Sequence, residues 1–263
     1  MSTTIVTSLY NIQRENLDGR DWNSYLEWFA KTLSVNTPMI VFVDQELEDF
    51  VVNSRNGLPT KVVVSRLEDT HYYSYKDAME SILQSDAYRS RITGPNRIEC
   101  ISTLYNIIQY SKFDWVEKAA EINPFNTDNF LWLDAGISRF FDGVDTSVGF
   151  NIGGKTIPNG KVLIQIFMLS YPELANADKI DEDYFWDERS YVAGGIFMLN
   201  KSFAKEMNDI MKETLSEMLS KGMMNNEQIS LGYLIKRRPE IFELFRHYYT
   251  MHRNYELLNI LNS

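Results

Sequence analysis

A chain of 263 residues with 44% hydrophobic and 24% charged side chains has the make-up of a folded globular protein, long enough to bury roughly three quarters of the surface its unfolded form exposes. A net charge of −10, from 36 acidic against 26 basic residues, excludes broad contact with nucleic-acid phosphates, and a single cysteine, Cys100, excludes a disulfide framework. No stretch reaches the roughly 18 apolar residues of a spanning helix, and the opening MSTTIVTSLYNIQRENLDGRD has no basic segment followed by an apolar run, so the expected setting is the cytoplasm with at most peripheral membrane contact.

The β-branched run TTIVTSL (3–9) predicts a first strand. Behind it Asp21 is placed to cap a helix in which Trp22, Tyr25, Leu26, Phe29 and Leu33 recur at helical spacing. Strands follow at PMIVFVD (38–44) and TKVVVSRL (60–67) around the mixed QELEDFVVNS, and SYKDAMESILQS (74–85) reads as a helix. Strands separated by helical stretches predict β-α-β units and a mostly parallel sheet. Pro95 suits a first helical turn, and Ile98, Ile101, Tyr105 and Ile108 keep a helical period. NFLWLDAG then predicts a fourth strand ending at Asp134. Ligands of such sheets sit beyond the carboxyl ends of the strands, where the strand order reverses, which makes Asp134 a candidate site residue by position alone.

The second half begins with a turn-rich stretch (142–160), then offers a strand at KVLIQIFML, a loop at DKIDEDYFWDERS, a strand at YVAGGIFMLN and helices to the end. Met207, Met211, Met218, Met223 and Met224 fall at core spacing, and Lys236, Arg237 and Arg238 are placed to complement the negative end of a helix. The whole reads as one domain whose first half is a nucleotide-type fold and whose second half adds the other wall of a cleft.

One motif needs testing. GFNIGGKT (149–156) satisfies G-x-x-x-x-G-K-S/T, the loop that cradles nucleotide phosphates. Such a loop needs a helix beginning at its Lys-Thr pair. The sequence instead continues with Pro158, which disfavours helix in the residue before it, and an Asn159-Gly160 turn leading into a strand. Residues 147–167 are therefore expected to form an antiparallel hairpin, with Gly153 and Gly154 at a bulge or crossing and Lys155 on its rim. G-x-S-x-G, G-x-G-x-x-G, H-E-x-x-H and paired C-x-x-C motifs do not occur, and His247 and His252, five apart, do not share a helical face.

The stretches IVTSLYNIQR, SKFDWVEKAAEINPF, FLWLDAGISRFF, AGGIFMLN and NNEQISLGYL, spread over most of the chain, resemble the HtrL/YibB (WlaTC/HtrL) family, which is associated with bacterial surface-polysaccharide synthesis and related to GT-A type glycosyltransferases. The resemblance implies a single GT-A-like α/β domain over 1–263, with 1–140 as the nucleotide-binding half and 141–263 as the acceptor-side half with C-terminal helices. It implies a glycosyltransferase that moves a sugar from a nucleotide sugar to a glycan or lipid-linked acceptor; a catalytically silent sugar- or nucleotide-binding module of the same fold is the alternative.

Enzymes of that type place a lysine-bearing helix before a strand ending in D-x-D, whose carboxylates hold a divalent ion on the donor diphosphate. Lys112 in SKFDW and Asp134 in WLDAG match, but the third position is Gly136. A hard ion wants about six oxygen ligands, so Asp134 needs help from the diphosphate, water, Asp142, Asp145 or His247, and the expectation is Mn²⁺ or Mg²⁺ used weakly or not at all. Thr7, Tyr10, Arg14, Arg139, Gly194, Gly195 and Gln228 complete the implied donor-binding set. An inverting reaction needs a positioned carboxylate to take the acceptor proton. Glu227 is the candidate, with Asp187 and its neighbour Glu188 in reserve; the structural alternative has Asn225 capping a helix and Glu227 in its first turn.

Overall fold

The β-branched and aromatic runs pair into one seven-stranded sheet, ordered β3-β2-β1-β4-β6-β5-β7. The computed structural model describes residues 3–151, 157–247 and 255–262. The strands are β1 (Thr3–Leu9), β2 (Met39–Val43), β3 (Thr60–Val64), β4 (Asn129–Leu133), β5 (Val162–Phe167), β6 (Val192–Asn200) and β7 (Phe242–His247). Strands β3, β2, β1 and β4 run parallel, β5 runs parallel to β7, and β6 runs antiparallel to both its neighbours, β4 and β5. The class is α/β with a mostly parallel central sheet, as the alternation of elements predicts, and an antiparallel pair in the second half.

Helices α1 (Trp22–Leu33), α2 (Glu48–Arg55), α3 (Lys76–Gln84) and the single turns α4 (Asp86–Arg89) and α5 (Ile98–Ile101) precede the long α6 (Thr103–Ile122). After it come the short α7 (Pro172–Ala175), then α8 (Ala204–Ser220), α9 (Glu227–Arg237) and α10 (Glu256–Leu261). Asp21 caps α1 as expected, its carboxylate accepting from Ser24 N. The methionines of α8 and the loop after it are buried in the core.

Alternation along the strands divides the core into two layers. Val6, Tyr10, Phe42 and Trp132 face α6 and α8, while Ile5, Leu9, Val41 and Leu131 face α1 and the C-terminal helix. On the α6 side the rings of Tyr10, Trp115, Trp132, Phe197 and Phe113 form a continuous stack with successive centroid separations of 5.4, 5.9, 6.4 and 5.1 Å. Sequence order runs outward from β1 to β2 to β3 and returns to lay β4 on the other flank of β1, so the order reverses between β1 and β4. Asp134 follows β4 at that reversal.

Three expectations need correction. Pro95 lies in a turn; the helical segment starts at Ile98 and breaks at Ser102, whose hydroxyl accepts from Tyr105 N and caps α6. The C-terminal part is not all helical, because FELFRH forms edge strand β7, where exposed Glu243 and Arg246 flank half-buried Leu244 and Phe245. The hairpin arm expected at 147–151 is absent: β5 pairs with β6 and β7, and 146–148 form a turn tied elsewhere, with Asn36 N donating to Thr146 O, Phe150 N to Thr37 Oγ1 and Asn151 N to Leu261 O. Gly153, Gly154 and Lys155 lie outside the described residues.

Gly149, the first glycine of the phosphate-loop spelling, has a structural task. Its φ is +80°, and a Cβ there would sit 2.1 Å from Asn36 O. Both the left-handed backbone and the close approach require glycine. Gly149→Ala is expected to cost about 2 kcal/mol or more in urea unfolding; an unchanged midpoint would show that the 146–151 turn is not anchored in this way.

Candidate active site

Lys112 projects from the middle of α6 into the protein and is 1% exposed. A buried ammonium needs an acceptor for each of its protons and a counter-charge. Nζ lies 2.5 Å from Glu227 Oε1 and 3.0 Å from Asp134 Oδ1, and it donates to Gly194 O at 3.2 Å. Three acceptors from three different elements thus converge on one cation. Asp134 Oδ1 also accepts from Trp132 Nε1 at 2.8 Å, two residues back on the same face of β4, while Asp134 N donates to Gly195 O at 3.0 Å.

The Gly194-Gly195 pair makes this convergence sterically possible. A Cβ at Gly194 would fall 2.5 Å from Glu227 Oε1 and 2.6 Å from Gln228 Cγ, and one at Gly195 would fall 3.3 Å from Asp134 Oδ2. Because β6 runs antiparallel to β4, these early residues of β6 sit at the carboxyl end of β4. Glu227 is the first residue of α9, whose cap is Asn226 rather than Asn225. Asn226 accepts from Ile229 N, and Asn225 instead donates to the carbonyls of Phe185 and Asp187.

One ammonium serves two carboxylates, and burial acts on both the ammonium and Glu227. For Lys112, burial works against the charged form, but the Asp134 and Glu227 carboxylates more than offset it and hold the ammonium above its ordinary range. For Glu227, burial raises the carboxyl and Asp134 adds to the rise, although Lys112 opposes both. Glu227 Oε2 is buried and has no hydrogen-bond partner among the described residues.

Asp134 is different: its side chain keeps 36% exposure and opens on a cleft with about 870 Å³ of atom-free space, continuous with solvent. The cleft occupies the switch point between β1 and β4. Of the residues singled out in the sequence, Tyr10, Arg14, Lys112, Asp134, Gly136 and Arg139 line it. Arg14 Nη1 donates to Tyr25 Oη at 2.7 Å, and the guanidinium lies 4.8 Å from the Tyr105 ring centroid, spanning from α1 to α6. Arg139 lies over the rings of Trp28 and Phe140, with no carboxylate partner among the described residues.

The other sequence candidates are placed elsewhere. Thr7 is buried within β1, and Gly194 and Gly195 lie beneath Asp134 and Glu227. Gln228 donates to Val192 O at 2.7 Å. Glu227 is 1% exposed and outside the cleft lining, so no oxygen of it faces an acceptor. Asp187 is also outside the lining; burial raises its carboxyl, but Arg189, 2.6 Å away, holds it below the usual range. Neighbouring Glu188 sits 3.8 Å from Arg97 Nε.

Residues the sequence did not mark as belonging to a site complete the cleft, notably Tyr25, Tyr105, Arg20 and Trp132. Only Trp132 carried a signal, because its spacing of two from Asp134 puts both on one strand face.

A resident divalent ion does not fit the described side chains. Among them, no group of three His, Cys, Asp or Glu residues converges, Asp134 Oδ1 is committed to Lys112 and Trp132, and an ammonium 3.0 Å away repels a second cation. Asp145 accepts from Ser147 N and Oγ, away from the cleft, and exposed Asp142 does not line it. The imidazole of His247 lies outside the described residues.

Residues 1–256 match the model of a family described as "Bacterial protein of unknown function (HtrL_YibB)". The chain is 22% identical over 255 residues to Protein HtrL of Escherichia coli (strain K12), covering 92% of this chain and 87% of that protein. Among solved structures it is similar to apo mouse xyloside xylosyltransferase 1, with TM-score 0.44 and 10% identity over 93% of this chain and 84% of that one. It is also similar to 4-diphosphocytidyl-2C-methyl-D-erythritol synthase from Anaerococcus prevotii, with TM-score 0.38 and 12% identity over 99% and 94%.

Truncating Lys112 tests the triad. Lys112→Met leaves buried Glu227 without its cation and is expected to cost about 3–5 kcal/mol in urea unfolding at pH 7, part of which Glu227→Leu in the same chain should restore. An ammonium with a raised folded pKa stabilises the fold below its unfolded value of about 10.4 and loses that contribution as pH rises through the folded value. Wild-type stability should therefore show an alkaline fall that Lys112→Met lacks; parallel pH profiles would deny the triad any energetic role.

Proposed function

The chain belongs to the HtrL/YibB family, and from that premise we propose that it is a nucleotide-sugar-dependent glycosyltransferase with a GT-A-like domain. The observation that carries this reading is Asp134, a carboxylate fixed by Lys112 and Trp132 at the switch point of the sheet and opening on a cleft rimmed by Arg14, Arg20 and Arg139. The donor's nucleoside diphosphate lies along the arginines and its sugar lies over Asp134. As the acceptor oxygen bonds to the anomeric carbon its proton passes to the Asp134 carboxylate, the bond to the diphosphate breaks, and the negative charge that grows on the leaving group is stabilised by the fixed guanidinium groups. Trp22, Tyr25 and Phe140 on the cleft wall offer apolar faces for a sugar ring.

Glu227 takes a different role from the one its sequence context suggests. It is a positioning residue, holding the Lys112 ammonium against Asp134 from behind. The acceptor in this reading is a glycan or lipid-linked sugar, in keeping with a role in surface polysaccharide synthesis at a cytoplasmic site. The contact proposed with a lipid-linked acceptor is peripheral; no helix among the described residues is long and apolar enough to cross a membrane.

A second reading, a silent nucleotide- or sugar-binding module, is favoured by one feature: with Gly136 in place of an acid and Glu227 and Asp187 ion-paired outside the cleft lining, the carboxylates that line the cleft are Glu15 and Asp134, the latter paired with Lys112. A panel of nucleotide sugars, screened by thermal shift with and without Mn²⁺, separates the readings. The enzyme should be stabilised by at least one donor and hydrolyse it slowly even without acceptor. Asp134→Asn should cut turnover by about 100-fold or more. Stabilisation without any turnover supports the silent module, and a panel with no stabilising donor sinks both.

A further inference from the structure

The charge arrangement at the mouth of the cleft indicates how an anion is received there. Arg14 presents its fork to Asp18: Nε donates to Asp18 Oδ1 at 3.2 Å and Nη2 donates to Oδ2. Arg20 Nε lies 3.6 Å from the same Oδ2. Arg14 and Arg20 both line the cleft, so one carboxylate occupies the space between two guanidinium groups that face the candidate ligand site. The fork geometry that suits a carboxylate suits a phosphate equally well.

The two arginines are held independently of Asp18. Arg14 donates to Tyr25 Oη and stacks over Tyr105, and Arg20 Nη1 lies 3.4 Å from the same Tyr25 Oη. Asp18 shares with them a segment (11–20) that has no buried residue, and its side-chain contacts are to these two arginines. Displacing it from the fork removes little packing. Other charges along the cleft are Glu15, Arg139, Lys112 and Asp134, the last two already paired with each other. Deeper in, a divalent cation would meet the Lys112 ammonium and a carboxylate with one oxygen already engaged.

We propose that the fork of Arg14 and Arg20 binds the diphosphate of a nucleoside diphosphate directly, without a resident divalent cation, and that Asp18 is the exchangeable carboxylate holding the fork in the free protein. This rests on reading the cleft as a nucleotide-sugar site. The leaving diphosphate is then met by side chains already in place, and Asp18 re-engages the arginines when the product departs.

Isothermal titration of the full chain with UDP, GDP, ADP, CDP and dTDP, each in EDTA and in Mn²⁺, tests the proposal. At least one should bind in EDTA with a Kd within about threefold of its value in Mn²⁺. Arg14→Gln and Arg20→Gln should each weaken binding about tenfold or more with unchanged melting by circular dichroism, and exposed Arg20 serves if Arg14→Gln fails to fold. Asp18→Asn should tighten binding about threefold or more by removing the competing carboxylate. Binding seen only with Mn²⁺ and lost in Asp134→Asn overturns the arginine fork while leaving the transferase reading intact. Weaker binding by Asp18→Asn overturns the exchange. No binding under either condition overturns both this inference and the reading it rests on.

Discussion

A lysine ammonium that is 1% exposed cannot be left without counter-charge, and the arrangement of the site follows from supplying it. Lys112 comes from α6, Asp134 from the end of β4, Glu227 from the start of α9 and the Gly194 carbonyl from β6. Each element must reach one nitrogen. That fixes the glycine pair on β6, since a side chain at 194 would collide with Glu227, and it fixes the antiparallel course of β6, which brings those glycines to the carboxyl end of β4. The exposed carboxylate is thus oriented by groups that are themselves almost wholly buried.

The same constraint divides labour among the acids. Glu227 and Asp134 sit on one cation, but Glu227 is sealed and Asp134 is open. A carboxylate in the first turn of a helix is commonplace, and nothing in NNEQIS distinguishes an acid that faces a cleft from one that faces a buried lysine. The arginines show the complementary behaviour: they sit on the cleft wall, are held by aromatic rings, and carry their charge toward open space.

Much of the architecture was legible because it depends on local periodicity. The β-branched runs of β1 and β2, the capped amphipathic α1 and the apolar NFLWL strand are each determined by pattern and turn chemistry, and the position of Asp134 follows from topology. Strand β7 was hidden because FELFRH has mixed polarity, so its pairing with β5 is a tertiary choice. The arm expected at 147–151 failed for the opposite reason: the local sequence allows an extended arm, but Gly149 is used to approach the Asn36 carbonyl. Tyr25 and Tyr105 were illegible as site residues since a helix face gives no sign of which cleft it borders, whereas Asp134 followed from its place at a strand end and Lys112 from the family resemblance.

The ring stack from Tyr10 to Phe113 supports the floor of the cleft, and Trp132 within it is hydrogen-bonded to the carboxylate that faces the open space. An indole whose N–H is held by an anion has an excited state sensitive to that anion's field. Charge placed over Asp134 therefore perturbs Trp132 directly, and Trp115 lies stacked against it at 5.9 Å. The residue that aims the carboxylate is also a fluorophore, so the protein carries an optical reporter of its own occupancy at the floor of the cleft.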